Sequence, residues 1–462
     1  MKDFVEIKDL VGDIHKAHSF PCPVCEHEHA STIGEALIGN GALAGLPGML
    51  EGLKLGKKVL VVTDEIVYGL VGERAKELWE SGGLELSWHV FKTPMLPNEQ
   101  AIGEVFVEAA SAPDVFVSLG GGSVCDVTRY VAHRLDIPLI PVPTAITHDG
   151  FFTDMSLLLL GGMKTTVVCA PPAAFLADID IICKAPVRMN AAGLGEMASK
   201  FTALADWYAA SLVNGDWYCD AVFNLMIEAI DQAFAASEGI ASGDPDALLS
   251  LTDALYKSAV DMSWYGSART GAGAEHHLTH YWVMRHAVRG EKPNMHGAEV
   301  GVGAVLVLNM WQRMLAIDEN HFDIDKALDA MLTKEQWEEH VKKGYGDAAP
   351  EAFKAQKNKS FSREERRKEI ERILKALPAL REKFAYLPNY KEFAVRLKEA
   401  GAPYVPSQLH VTREEIIDSV LYAKEVRSKY TSLWIADALG LLPELSVALA
   451  DDAEALEKEL AD

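Results

Sequence analysis

Between Lys57 and Val142, apolar runs of strand length alternate with stretches whose apolar residues recur at helical spacing. Lys57–Asp64 (KKVLVVTD) predicts a buried parallel strand ending on an acid, and a helix carrying Leu70, Val71, Ala75 and Leu78 follows. The alternation continues with a strand near Leu86–Phe91, a helix near Asn98–Ala110, a strand over Asp114–Leu119, a helix over Val124–Arg134 and a strand over Pro138–Val142. Parallel strands need crossover segments rather than tight hairpins, so this order restricts the region to a parallel sheet covered by helices. After about Pro186 the strand signals stop, and a long helical pattern opens at Asn190 and runs through Leu212. The expected architecture is an α/β domain over residues 1–185 followed by an all-helical domain over residues 186–462, in keeping with a chain too long for one ordinary domain.

Charge and cysteine content narrow the function classes. With 44 basic and 67 acidic residues the formal net charge is −23, which argues against nucleic acid or an anionic membrane surface as a partner. The run Arg363–Glu369 (REERRKE) predicts an exposed helix with internal ion pairs. No uncharged apolar run reaches membrane-spanning length, and MKDFVE is a poor signal peptide. Six cysteines are too sparse for a disulfide scaffold, so a cytoplasmic protein with reduced thiols is expected. Cys22, Cys25, His27 and His29 have zinc-knuckle residue types, but four ligands within eight residues leave almost no chain to wrap an ion, so a surface turn leading into a strand is expected there.

Two constellations carry chemistry. Strand, Gly120-Gly121-Gly122, then a helix from about Ser123 is a phosphate-binding arrangement: glycine admits a pyrophosphate to the backbone, and the helix N-terminus favours its charge. A tight strand-to-helix turn explains the same residues. Asp64, at the end of its strand, fits either the ribose hydroxyls of NAD or a helix N-cap. The loop Pro143–Gly150 (PTAITHDG) follows the last strand, where α/β sheets bind ligands. In the helical half, His276 and His280 project from one helical face and His296 opens another helix, a donor set suited to a transition metal. Glu196 and Lys200 are spaced as an i, i+4 ion pair, yet their apolar neighbours Leu194 and Met197 call for a cation to compensate a buried carboxylate.

Taken in order, GGGSVCD (120–126), PTAITHDG (143–150), LADIDII (176–182), AAGLGEMASKFTALADW (191–207), AEHHLTHYW (274–282), HGAEVGVG (296–303) and the tail from residue 401 to 442 resemble the sn-glycerol-1-phosphate dehydrogenase family, bacterial branch. That family shares its fold with glycerol dehydrogenase, iron-containing alcohol dehydrogenases and dehydroquinate synthase. The resemblance implies an NAD-binding α/β domain and a metal- and substrate-binding helical domain. It implies reduction of dihydroxyacetone phosphate with NAD(H), or alternatively NADP(H), and one divalent ion, zinc or nickel. Carried over by position, Glu196, His276 and His296 bind the metal, and His280 and Asp149 are catalytic. Glu196, Lys200, Asp149 and His280 meet the substrate. Gly120, Gly121, Gly122, Ser123, Val124, Cys125 and Asp126 line the cofactor site with Thr144, Ala145, Ile146, Thr147, Thr153 and Asp64. The resemblance further implies a small-molecule substrate, a cytoplasmic homodimer and no membrane insertion.

Three positions depart from the family pattern. The dehydrogenases usually carry Asp at the position of Glu196, whereas the dehydroquinate synthases carry Glu there, as this chain does. Thr153-Asp154 stands where small hydroxyl residues are usual, and Met163-Lys164-Thr165 replaces a Phe-Lys-Arg sequence, leaving Lys164 and Lys200 as cations for a phosphate. A dehydrogenase of an unphosphorylated polyol, a dehydroquinate synthase-like cyclase and a non-enzymatic helical protein with a structural metal are the alternatives.

Overall fold

The computed structural model describes residues 13–16, 19–161, 163–292 and 294–461, with backbone only at 163 and 164. Lys164, one of the two cations named above, therefore lies outside the described side chains. The chain divides into two compact units, one of Met1–Gly193 with Asn224–Gly266, the other of Leu194–Phe223 with Ser267–Asp462.

The first unit opens with the short antiparallel strands β1 (Phe20–Pro21) and β2 (Glu28–His29), followed by β3 (Glu35–Gly39). Its centre is a parallel sheet in the order β5-β4-β6-β7, formed by β4 (Lys58–Asp64), β5 (Glu85–Phe91), β6 (Val115–Gly120) and β7 (Leu139–Pro143). Val59, Leu60, Val61 and Val62 of β4 are all buried, as a central parallel strand covered on both faces requires. Val59 and Val61 enter one apolar core, Leu60 and Val62 the other. Helix α1 (Glu99–Glu108) starts where the Asn98 carboxamide oxygen accepts from the Ala101 N–H at 3.1 Å, and α2 (Gly122–Leu135) follows β6 directly.

Beyond β7 the unit holds a feature absent from the sequence reading. Strands β8 (Met155–Leu160) and β9 (Met163–Val168) form an antiparallel hairpin, with Gly161 at φ 59° in its turn. The run Met155–Leu160 is nearly continuously apolar and gives no alternation by which to recognise a strand. Strand β10 (Ala174–Asp178) then pairs in parallel with β3.

The helix expected from Asn190 through Leu212 is two helices, α3 (Val187–Ala198) and α4 (Lys200–Asn214). At the junction the Ser199 hydroxyl donates to the Glu196 carbonyl at 2.7 Å, and Lys200 Nζ approaches the same oxygen at 3.3 Å. Side-chain donors of this kind compete with the helical ladder for its carbonyls. Helix α5 (Pro245–Tyr265) belongs to the first unit. The second unit continues with α6 (Ala274–Val288), α7 (His296–Leu315) and α8 (Arg363–Lys383). Helix α8 carries the expected Glu364–Lys368 pair at 2.7 Å, but it is not wholly exposed: Arg366 is buried and reaches Asp437 at 3.1 Å. Among the described residues no helix is long and apolar enough to cross a membrane.

Candidate metal and nucleotide sites

In the second unit, helices separated by some eighty and twenty residues of sequence bring three donors together. Glu196 lies on α3, His276 in the first turn of α6, and His296 opens α7. One ligand atom from each lies within 4.8 Å of the others. His276 Nε2 is 3.7 Å from Glu196 Oε1, and His296 Nε2 is 3.7 Å from Glu196 Oε2. A tetrahedral ion with bonds near 2.1 Å sets such edges at about 3.4 Å, so small rotations close the cluster on a metal. The approach depends on glycine. A Cβ on Gly195 would stand 2.3 Å from the Gly297 carbonyl oxygen, and one on Gly301 would stand 2.8 Å from the Gly195 Cα. Both obstacles are backbone, so only bare helix surfaces pass this closely.

The surroundings fit a cation. Glu196 is 2% exposed, and no group among the described residues hydrogen-bonds its Oε2. Burial alone would raise its pKa, but Lys200 and then the rings of His296 and His276 outweigh burial and hold the carboxyl well below its usual range. The longer side chain of Glu, compared with the family's usual Asp, thus still delivers both oxygens to the histidines. Lys200 is fully buried with Nζ 2.9 Å from Glu196 Oε1. Its charge is neutralised within the cluster, which differs from its expected place on a substrate phosphate.

A partner that the sequence reading overlooked is Glu275. Its Oε1 receives His276 Nδ1 at 2.9 Å, leaving Nε2 facing Glu196 and able to ligate, while Oε2 accepts from the Thr202 hydroxyl at 2.7 Å. Burial raises the Glu275 pKa, and the bonds from His276, Thr202 and the Gly273 N–H outweigh it. A carboxylate behind a histidine fixes its tautomer and strengthens it as a ligand. The adjacent position and its acidic type were visible, but burial was not. Beneath α6, buried Asp206 accepts from the Ala274 N–H at 2.8 Å; desolvation and the Glu275 charge push its pKa up to about 7.

His280, one turn on, has its ring centroid 6.4 Å from that of His276 and 6.3 Å from that of His296. Burial, and then the neighbouring His296 and His276, push its pKa well down, so its imidazole is neutral at neutral pH. His277 is buried on another face, and neither ring nitrogen has a hydrogen-bond partner among the described residues.

The nucleotide candidates form a separate cluster in the first unit. Gly120 ends β6 at φ 153°, a conformation that favours glycine, and Gly121 starts α2 with no side-chain cap. The first N–H groups of α2 are therefore presented without a competing side chain, next to a turn bearing no acid. A Cβ on Gly122 would meet His148 Nε2 at 3.0 Å, so glycine also makes room for the loop after β7. Ser123 is exposed and Asp126 half-buried, whereas Val124, Cys125, Ala145 and Ile146 are buried, with the Ile146 N–H donating to Asn190 at 3.1 Å. Burial raises the Cys125 thiol. Thr144 and Thr147 are half-buried, and the Thr153 hydroxyl donates to the Gly150 carbonyl at 3.2 Å. Asp149 Oδ2 accepts from the Ser258 hydroxyl at 3.0 Å. Asp64 does serve as an N-cap: Oδ1 accepts from the Ile66 and Val67 N–H groups at 2.9 Å each, and Oδ2 takes neither bond.

Arg129, unremarked in the sequence, holds this region in place. It is 1% exposed and donates to the carbonyls of Met155 at 2.6 Å, Gly150 at 2.9 Å and Phe151 at 2.8 Å. A helical arginine in a polar-looking stretch gives no sign of burial, and its three acceptors lie more than twenty residues downstream.

Comparison with known proteins places this geometry in a family. Residues 37–186 match the model of the iron-containing alcohol dehydrogenases. Glycerol-1-phosphate dehydrogenase [NAD(P)+] of Geobacillus thermodenitrificans is 32% identical over 62% of this chain and 72% of its own length. The protein of the same name from Bacillus licheniformis is 28% identical over 95% of this chain and 97% of its own. An alcohol dehydrogenase from Oenococcus oeni superposes with a TM-score of 0.59 at 14% identity, covering 90% of this chain and 97% of its own, a likeness of fold. The chain belongs to the glycerol-1-phosphate dehydrogenase family, on the fold of the iron-containing alcohol dehydrogenases.

Proposed function

We propose that the chain reduces dihydroxyacetone phosphate reversibly to sn-glycerol 1-phosphate with NAD(H), NADP(H) being the alternative cofactor. Its family is one of NAD(P)-linked oxidoreductases. The observation that carries the reading is the Glu196–His276–His296 cluster, with Glu196 buried and one of its carboxylate oxygens lacking a hydrogen-bond donor among the described residues. A divalent ion there, zinc or nickel, supplies Lewis-acid polarisation of the ketone, and the nicotinamide supplies the hydride.

The residues take the remaining tasks. Glu196, His276 and His296 hold the ion, with Glu275 orienting His276 and Lys200 balancing Glu196. His280 contacts the substrate and relays the proton that completes the alcohol. A neutral imidazole both donates and accepts, which suits relay in either direction of a reversible reaction. Asp149, steadied by Ser258, holds substrate hydroxyls. The α2 N-terminus with Gly120, Gly121, Gly122 and Ser123 receives the pyrophosphate, Asp126, Thr144, Thr147 and Thr153 line the cofactor, and Asp64 Oδ2 takes the ribose hydroxyls. Val124, Cys125, Ala145 and Ile146 shape the wall behind them. An acid at the ribose disfavours a 2′-phosphate, hence the preference for NAD. The functional division is residues 1–185 for the cofactor and residues 186–462 for metal and substrate. A cytoplasmic homodimer is the inferred setting.

Burial of Lys200 removes one cation from the substrate phosphate, and this favours an unphosphorylated polyol as the second reading. Metal-loaded protein with NADH, offered dihydroxyacetone phosphate and dihydroxyacetone, separates the two. Stoichiometric NADH loss with the phosphate ester is expected; turnover of the free ketone alone moves the assignment to a polyol.

A further inference from the structure

We propose that Cys22, Cys25 and His29 bind a second divalent ion, of the zinc class, in the first unit, apart from the reduction chemistry. The three supply Sγ, Sγ and a ring nitrogen within 4.8 Å of one another. The hairpin of β1 and β2 makes this arrangement, pairing Phe20 with His29. The Cys22 N–H donates to the His27 carbonyl at 2.8 Å, and the Glu26 N–H donates to the Cys22 carbonyl at 2.9 Å. Glu26 itself is held at φ 63°, a left-handed conformation that costs a non-glycine residue about 1 kcal/mol. Strained backbone of this kind clusters at ligand clamps.

The histidine is already set for a metal. His29 is 1% exposed, and its Nδ1 lies 3.2 Å from the Trp264 carbonyl at the end of α5. A carbonyl accepts only, so Nδ1 carries the proton and Nε2 the lone pair. Nε2 faces Cys25 Sγ at 3.4 Å. An ion bound at ordinary Zn–S and Zn–N lengths sets a sulfur–nitrogen edge of about 3.6 Å, and a carbonyl behind the imidazole is the usual support for a histidine ligand. Phe20 and Trp264 pack the ring at centroid distances of 5.2 Å and 6.2 Å.

The objection that four ligands crowd eight residues falls away, because the hairpin uses three. His27 is exposed and turns Nδ1 to the Cys25 carbonyl at 2.9 Å. Cys22 is buried, and Cys22 and Cys25 are not joined as a disulfide. Two thiolates and an imidazole select zinc over magnesium or calcium. Binding releases the two thiol protons to solvent and involves no electron transfer. The ion would clamp the hairpin against the end of α5 and so act on stability.

The test uses the full chain, purified under reducing conditions, stripped of metal and reloaded with Co²⁺. A near-ultraviolet thiolate-to-cobalt charge-transfer band is expected in the wild type, retained in His296→Ala and lost in Cys22→Ser/Cys25→Ser. Absence of the band in the wild type, or its persistence in the double variant, overturns the proposal. Should the double variant not fold, alkylation of the wild type decides. Zn²⁺ should protect the peptide carrying Cys22 and Cys25, and a chelator should expose it. Equal labelling with and without metal, or an intact mass two hydrogens light from a Cys22–Cys25 disulfide, contradicts it.

Discussion

The Glu196–His276–His296 cluster of the second unit and the glycine turn of the first solve opposite problems. The cluster gathers side chains from three helices and must keep a carboxylate ionised where water is excluded, so its cost is electrostatic and is met by Lys200 and the rings of His296 and His276. The turn offers only backbone N–H groups, and its requirement is steric: no side chain at Gly122, where a Cβ would crowd His148, and an unusual φ at Gly120. Substitutions should therefore divide cleanly, with charge changes damaging the first and bulk damaging the second.

The largest expected effect is at the ligands. His276→Ala or His296→Ala should lower kcat on the order of a thousand-fold, matching several kcal/mol of lost charge stabilisation, with NADH affinity unchanged. Weakened NADH binding in either variant would blur the division between the two regions. Next, Glu196→Gln leaves Lys200 buried without its counter-charge, at a cost of about 3–5 kcal/mol. Glu196→Gln/Lys200→Met should recover much of that in denaturant unfolding of the metal-free protein, and no recovery would mean that Lys200 is not balancing Glu196. Glu275→Gln should weaken metal affinity by about 10- to 100-fold, read by competition with a chromophoric chelator. Smaller again, Asp64→Ala should cost about 1 kcal/mol through the lost N-cap, and raise the Kd for NADH without altering metal content.

The mildest prediction concerns pH. Asp206 has a folded pKa near 7, above its ordinary value of 3.8, so the folded state favours its protonated form. Its contribution to stability is complete below about pH 4 and is lost as pH rises through 7. Asp206→Asn should flatten that decline in a series of unfolding curves, and an unchanged slope would assign the pH dependence to other groups.

What could be read from the sequence follows the same division. The glycine turn and the sheet are local: strand, turn and helix occupy one contiguous stretch, and the apolar runs of β4, β6 and β7 were long enough to declare their burial, while the edge strand β5 is only half-buried. Glu196, His276 and His296 were singled out as candidate ligands through resemblance, although only the fold brings α3, α6 and α7 together through the bare surfaces of Gly195 and Gly301. Glu275, Arg129 and the buried state of Lys200 were not legible, because an ionisable residue in a sequence looks the same whether water or a partner solvates it. The hairpin of β8 and β9 was missed since a uniformly apolar run carries no period, and the break at Ser199 turns on one hydroxyl competing for one carbonyl. Those misses are all matters of context, where tertiary contacts override a local pattern.

The most direct test of the central claim is a titration of metal-free enzyme with Zn²⁺ or Ni²⁺ while following NADH oxidation by dihydroxyacetone phosphate. Activity should rise from near zero with added ion in the wild type and in Cys22→Ser/Cys25→Ser, and stay at baseline in His296→Ala with its helical content intact. Full turnover in the stripped wild type, or metal-restored turnover in His296→Ala, would contradict the assignment of the Glu196–His276–His296 cluster as the reaction centre.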